Sequence, residues 1–326
     1  MTFKTLPAEN NQQATFKPFL PERRAEIWAI GGGKGGIGKS LVSSGLALTL
    51  SKQDKKVLLF DADLGGANLH TLLGIPNPTY SLSDFVGRRV QTLGEVAVSG
   101  GQQNLTLISG AGDSLEAANL KYQQKLRLMN RLRTFAGDVL ILDLGAGTHY
   151  NTLDFFNMAH VNVLVVLPEP TSVENGYRFL RAALLRRLRH VSDHPRYQEL
   201  LGSAQAMQSD ATLRHIRGIA ERAADIDPRC GEAVLKVAAR YQPRLVLNQV
   251  RAEEDMKVGH GLRSACLRML GIEVKFQGAI PYDDTVWQAV RKRTPHVLAF
   301  PDSAAARSMK RLVARLHNEQ QFTMKL

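Results

Sequence analysis

Gly33-Lys34-Gly35-Gly36-Ile37-Gly38-Lys39-Ser40 satisfies G-x-x-x-x-G-K-[ST], the spacing of a phosphate-binding loop. The apolar run Glu26-Ile27-Trp28-Ala29-Ile30 precedes it, and LVSSGLALTLSK follows with apolar residues at helical spacing. A strand entering and a helix leaving is the context that gives the motif meaning. Glycines let the backbone curl so that successive N–H groups point inward, and the helix adds its positive N-terminal end. Nucleotide contacts are therefore expected from Gly33, Gly35, Gly36, Ile37, Gly38, Lys39, Ser40 and Leu41. Lys39 is placed to reach the β- and γ-phosphates, and the Ser40 hydroxyl to ligate Mg²⁺.

Outward from the loop, short β-branched runs alternate with helical patterns. Strands are expected at 25–30, 57–61, 105–109, 139–143, 161–167, 244–248 and 274–280. Near-continuous apolar runs such as VLLFD, VLILD and VNVLVVL suit strands covered on both faces. The pattern predicts a doubly wound α/β fold, a mostly parallel sheet with helices on both faces. Residues 1–24 read as a flexible arm, 25–318 as a single domain, and 319–326 as a short tail. The rhythm breaks at about 190–240, where helical spacing at 198–208, 211–224 and 231–241 predicts a helical insertion.

Two of the strands end in carboxylates. Asp61-Ala62-Asp63 closes one strand, so both side chains project toward the crevice where ligands bind in open α/β sheets. One can lie near Mg²⁺ while the other orients an attacking water. Val139-Leu140-Ile141-Leu142-Asp143 is an apolar strand ending in Asp143, the arrangement that reaches Mg²⁺ directly or through water.

The chain has 326 residues, 44% of them apolar, enough for a well-buried core. No stretch approaches the ~18 consecutive apolar residues of a membrane span. The first residues lack the apolar centre of a secretory signal, so the cytoplasm is the expected compartment. The two cysteines, Cys230 and Cys266, form neither a C-x-x-C motif nor a disulfide framework. The net charge of +12 suits a polyanion such as nucleic acid or an anionic lipid surface, and equally basic helix faces in water. Its densest local cluster is Arg178, Arg181, Arg186, Arg187 and Arg189.

Other residues have plainer readings. Trp28 and Trp287 fall in apolar patterns and are expected in the core, and Thr171 is expected to cap a helix through T-x-x-E. Arg291-Lys292-Arg293 follow a helix whose dipole they complement, and His190 and His194 stand at a solvated helix end. In the final helix, Ala305, Met309, Leu312, Val313 and Leu316 line one face and Arg307, Lys310, Arg311 and Arg315 others. Such a helix packs on the domain with its basic side in water, or lies on an anionic membrane.

KGGIGKS, with its early lysine, resembles the deviant Walker A motif of the MinD/ParA class of ATPases. In that class the early lysine crosses a dimer interface to the partner's nucleotide. The resemblance implies that Lys34 makes ATP binding and homodimerisation one event. It also implies that Asp63 positions the hydrolytic water, that Asp61 and Asp143 belong to the metal site, and that Asn248 reads the adenine edge. Pro281, Tyr282 and Asp283 then belong to the loop over base and ribose. The likeness spans about residues 25–318. DADLGGANLHTLLG, DLGAGTHYNTLDFF, PEPTSVENGYRF and IPYDDTVWQAV resemble the FlhG (FleN) branch, MinD-like ATPases that control flagellar number and placement. A regulatory or cargo protein is the implied partner. A ParA-like ATPase whose dimer binds DNA through the arginine cluster is the alternative. Iron–sulfur relatives use paired cysteines at a dimer interface, a spacing that Cys230 and Cys266 lack.

Overall fold

Strand β1 (Glu26–Gly31) lies at the middle of an eight-stranded sheet, and the phosphate-loop sequence leaves its C-terminal end. The computed structural model describes residues 25–63, 66, 68–76, 78–110, 120–206 and 211–323. The expected arm at 1–24 and the insertion residues 207–210 lie outside them. The remaining strands are β2 (Val57–Ala62), β3 (Ala97–Ser99), β4 (Leu105–Ile108), β5 (Val139–Leu144), β6 (Val161–Val166), β7 (Arg244–Val250) and β8 (Lys275–Pro281). Their order is β3-β4-β2-β5-β1-β6-β7-β8, all neighbours parallel except the antiparallel pair β3 and β4. The sequence pattern does not announce β3, three residues at the sheet edge and only partly covered.

Both faces of the sheet are apolar, which is why the strands read as continuous runs. Trp28, Ile30, Leu59, Ile141, Val163, Val165 and Val246 face one core cluster. Ala29, Phe60, Leu140, Leu142, Leu164 and Leu247 face the other. Each fully buried side chain of this kind contributes roughly 1.5–3 kcal/mol relative to exposure. The first cluster is closed by α1 (Lys39–Ser51), through Val42, Leu46 and Leu50, and by α13 (Ala304–Thr323), through Met309, Leu312 and Leu316. The apolar face of α13 is thus spent on α1 and β8, with Met309 against Gly45. Its backbone stays helical to Thr323, into the stretch 319–326 that was expected to be a short tail.

The second cluster is closed by α3 (Leu82–Val86), α4 (Tyr122–Arg133), α5 (Tyr150–Met158) and α6 (Pro170–Leu188). The expected helical insertion forms α7 (Pro195–Ala206), a 3₁₀ turn (Ala211–Arg214), α8 (Ile216–Ala224) and α9 (Pro228–Arg240). Its Tyr197, Leu201, Leu213, Ile219 and Val234 share the apolar cluster of Leu164 and Phe179. The elements not yet placed are α2 (Leu69–Leu72), α10 (Met256–Leu270), α11 (Asp284–Arg291) and α12 (His296–Ala299).

Two expectations change. Thr171 does not cap α6: Pro170 takes the first helical position, where its missing N–H costs nothing, and Glu169 stands at the cap. Trp287 is 59% exposed on α11, a helix whose buried side chain is Ala289, and the Arg291 guanidinium lies 4.7 Å from its ring centroid. His190 and His194 lie exposed between the end of α6 at Leu188 and the start of α7 at Pro195, the solvated helix end that was expected.

Candidate functional site

The C-terminal ends of β1, β2 and β5 bring the expected residues together. Asp61 and Asp143 are register partners on the adjacent strands β2 and β5, and Asp143 is also paired with Ile30 on β1. The phosphate loop passes over these ends and enters α1 at Lys39. Gly36 (φ +75°) and Gly38 (φ +86°) adopt the left-handed backbone that a curled loop requires and that L side chains rarely tolerate. Lys34, Gly35 and Gly36 are exposed, and a Cβ on Gly36 would meet nothing within 4 Å, so the loop mouth is open. At Gly33 the loop packs on α6, where a side chain would overlap the Asn175 carbonyl.

Charge is concentrated under the loop. Lys39 is 7% exposed, and its ammonium donates to the Lys34 carbonyl at 3.3 Å. Burial pulls the Lys39 ammonium below its ordinary value, with Asp143 and then Asp63 opposing that shift. Burial pushes the Asp143 carboxyl up to about 6, against hydrogen bonds from the Ser40 and Ser43 hydroxyls and the charge of Lys39. The Ser43 bond is 2.8 Å long. Asp61 is raised well above the carboxylate range by burial and by the Asp143 charge, although it accepts the Leu69 and Asp63 amides, both at 3.2 Å. The Asp63 carboxylate sits over Gly145, the residue after β5, where a Cβ would stand 3.1 Å from its oxygen.

Asp143 and Asp63 face one buried ammonium and Asp61 adds a third carboxyl beside Asp143, a concentration of acidic oxygens that a divalent cation would balance. Carboxylate and hydroxyl oxygens are the donors Mg²⁺ prefers, and Ser40, Asp61 and Asp143 supply them. The open loop of backbone amides ahead of a helix N-terminus suits phosphates. The residues present therefore fit a Mg²⁺-nucleotide.

Residues expected around the base behave less uniformly. Asn248, on β7, is 1% exposed, and its amide donates to the Ile37 carbonyl of the phosphate loop at 2.8 Å. Asp283 caps two helices: it accepts the Thr285 amide at the start of α11 and the Ala305 amide at the start of α13, both at 3.0 Å. Tyr282, 43% exposed, carries the Arg251 guanidinium 3.8 Å from its ring centroid. Pro281 ends β8 beside Val250. Of the DADLGGANLHTLLG stretch after Asp63, Leu64, Gly65 and Ala67 lie outside the described residues.

Sequence reading missed two partners. Ser43 lies three positions after Ser40 on α1, a spacing that turns its hydroxyl toward β5 and that a closer reading of the helix face would have found. Glu169, the cap residue of α6 just past β6, pairs with Lys34 at 3.6 Å, with both side chains about half exposed. No local pattern announces that contact, which joins separate strand ends.

The arginine cluster does not form a free basic surface. Arg181 is buried and donates to the carbonyls of Ala204 and Leu213. Arg186 makes a two-pronged pair with Asp154, to which Lys125 also donates. Arg187 bonds Asn157 and lies 4.4 Å from the Tyr241 ring, Arg178 pairs with Glu174, and Arg189 bonds Gln198 and Gln205. Arg181, Arg186, Arg187 and Arg189 are thus committed to neighbouring segments, while the Arg178 side chain, 60% exposed, pairs within α6 itself. Among the described residues no helix is long and apolar enough to cross a membrane.

A family model described as ParA, NUBPL iron-transfer P-loop NTPase, matches residues 23–178. Cys230 and Cys266 both lie beyond that span and are buried. The antiactivator FleN of Pseudomonas aeruginosa is 27% identical over 293 residues, 89% of this chain and 86% of the relative. The flagellum site-determining protein YlxH of Helicobacter pylori is 34% identical over 160 residues, 47% of this chain and 52% of the relative. Among solved structures, the septum site-determining protein MinD of Pyrococcus horikoshii, complexed with Mg-ADP, aligns with a TM-score of 0.58 at 18% identity. That alignment covers 89% of this chain and 94% of the other, a likeness of fold.

Proposed function

Because this chain is a P-loop ATPase of the ParA/MinD family, we propose that it is a Mg²⁺-dependent switch that dimerises on ATP, hydrolyses it slowly, and positions or counts a cellular structure, the flagellum. The observation that carries the reading is the convergence of Lys39, Ser40, Asp61, Asp63 and Asp143 at three strand ends, with Lys34 standing outside that cluster. The phosphate loop binds the triphosphate, and Lys39 neutralises its β- and γ-oxygens from a site where burial strengthens the attraction. Ser40, Asp61 and Asp143 would hold Mg²⁺, which when bound would balance charge on the phosphate oxygens. Asp63, on its loop over Gly145, orients the water that attacks the γ-phosphorus. Lys34 leaves its weak surface pair with Glu169 to contact the partner's nucleotide; a half-exposed pair costs about 0–1 kcal/mol to break.

The flagellar assignment draws on two relatives, an antiactivator FleN and a flagellum site-determining protein. A regulatory protein that recognises the ATP dimer is the expected partner. A membrane-attached form would need an apolar face other than that of α13. Asp63→Ala tests the chemistry. It is expected to keep ATP-dependent dimerisation while turnover falls by about two orders of magnitude or more, in line with removal of a positioned catalytic group. Steady-state phosphate release equal to the parent's would remove Asp63 from the role.

A further inference from the structure

We propose that Asn248 is a positioning residue of the phosphate loop, holding the Ile37–Gly38 peptide so that its N–H faces the phosphates whatever base is attached. The inference rests on the nucleotide-switch reading and adds a role for a residue that resemblance assigns to adenine alone. Three observations carry it.

The first is the contact itself. The Asn248 Nδ2 donates to the Ile37 carbonyl at 2.8 Å across 211 residues of chain, from a side chain that is 1% exposed. Buried polar groups are expensive to leave unpaired, so this bond is a strong local preference. Second, the carbonyl lies one residue before the helix. The hydrogen-bond ladder of α1 starts with the Val42 amide on the Gly38 carbonyl, which leaves Ile37 outside it. Third, the space is built for the amide. Gly38 stands at φ +86°, and any Cβ there would overlap the Asn248 nitrogen.

Peptide planarity supplies the consequence. The C=O and N–H of one peptide unit point in opposite directions. Anchoring the Ile37 oxygen on β7 therefore turns the Gly38 N–H away from β7, into the concave side of the loop. That N–H is one of the donors a triphosphate needs. The Ile37 side chain, 1% exposed in the core, fixes the other edge of the same peptide. A rotation about this unit is thus resisted from both sides, and the Asn248 Oδ1 is left for other partners.

The test compares ATP, UTP and inorganic tripolyphosphate, each with Mg²⁺, by calorimetric titration of the full chain and of Asn248→Ala. UTP, which carries a different base, and the base-free tripolyphosphate are both expected to lose about tenfold in affinity, the scale of one buried hydrogen bond. Stoichiometry should stay at the parent's value, which a mere folding defect would lower instead. Asn248→Asp keeps the side-chain volume and the acceptor but loses the donor, and is expected to weaken UTP and tripolyphosphate at least as much. UTP and tripolyphosphate affinities within twofold of the parent in both variants, with ATP alone weakened, would overturn the proposal and leave Asn248 a base reader. A parent protein that binds none of the three would instead contradict the nucleotide-switch reading itself.

Discussion

His160 shows how much one side chain can commit the start of the central strand. Its Nδ1 accepts the Ile27 amide at 2.9 Å, and its own amide donates to the Ile27 carbonyl at 2.8 Å. A ring nitrogen that accepts must carry a lone pair, so this contact needs unprotonated Nδ1. Burial, and secondarily the charge of Arg133, hold the imidazole below its ordinary value. The unfolded chain therefore takes up the proton first as pH falls through about 6.5. The stabilisation is fully present above that pH and is lost progressively below it, until the folded form also protonates. His160→Ala is expected to cost about 1–3 kcal/mol at pH 8, where it leaves the Ile27 amide unpaired. It should also flatten part of the acid slope in urea unfolding between pH 8 and 5; parallel slopes would refute the assignment. His70 and His296, also lowered by burial, account for a slope that persists in the variant. At this scale the cluster of Lys39, Ser40, Asp61, Asp63 and Asp143 was legible because each member sits in a local strand–turn–helix window. Contacts such as Asn248 with Ile37, Lys34 with Glu169 and His160 with Ile27 join distant segments, and no spacing in the sequence encodes them.

Element boundaries follow from short-range physics, and where that physics is ambiguous the reading slips. Strands β2, β5 and β6 were visible because apolar residues on both faces make an unbroken run, whereas β3 has three residues and no such run. The α6 start moved to Pro170 because proline at the first helical position outweighed the T-x-x-E pattern. On α11, apolar residues at helical spacing suggest a buried tryptophan, but Trp287 and Val290 are exposed, with the Arg291 guanidinium over the Trp287 ring. The same limit applies to α6 as a connector. Arg181 spans from α6 to the Ala204 carbonyl of α7 and the Leu213 carbonyl of the 3₁₀ turn, tying the insertion to the domain. Arg181→Ala is expected to destabilise by about 2–3 kcal/mol, since two buried carbonyls lose a charged donor. Urea unfolding would check this. A loss below about 0.5 kcal/mol, the usual size of a surface substitution, would mean that the insertion is held by its apolar contacts alone.

At the scale of the whole molecule, charge was the least legible property. A net charge of +12 states that anions are attracted, but the structure decides which cations are free to attract them. The arginines of α6 are committed to carboxylates, amides and carbonyls, and the apolar face of α13 to α1, so neither supplies the surface for which it was a candidate. What stands open is the mouth of the phosphate loop, with Lys34 exposed at its rim on a pair that breaks at little cost. The central claim is that this lysine joins two copies through nucleotide. Light-scattering mass, measured with Mg-ATP and with Mg-ADP, tests it most directly when the parent is compared with Lys34→Ala. The parent should double its mass with ATP and not with ADP, and Lys34→Ala should stay monomeric with ATP while still binding it. A Lys34→Ala protein that doubles its mass with ATP as the parent does, or a parent that stays monomeric with ATP bound, would contradict the account.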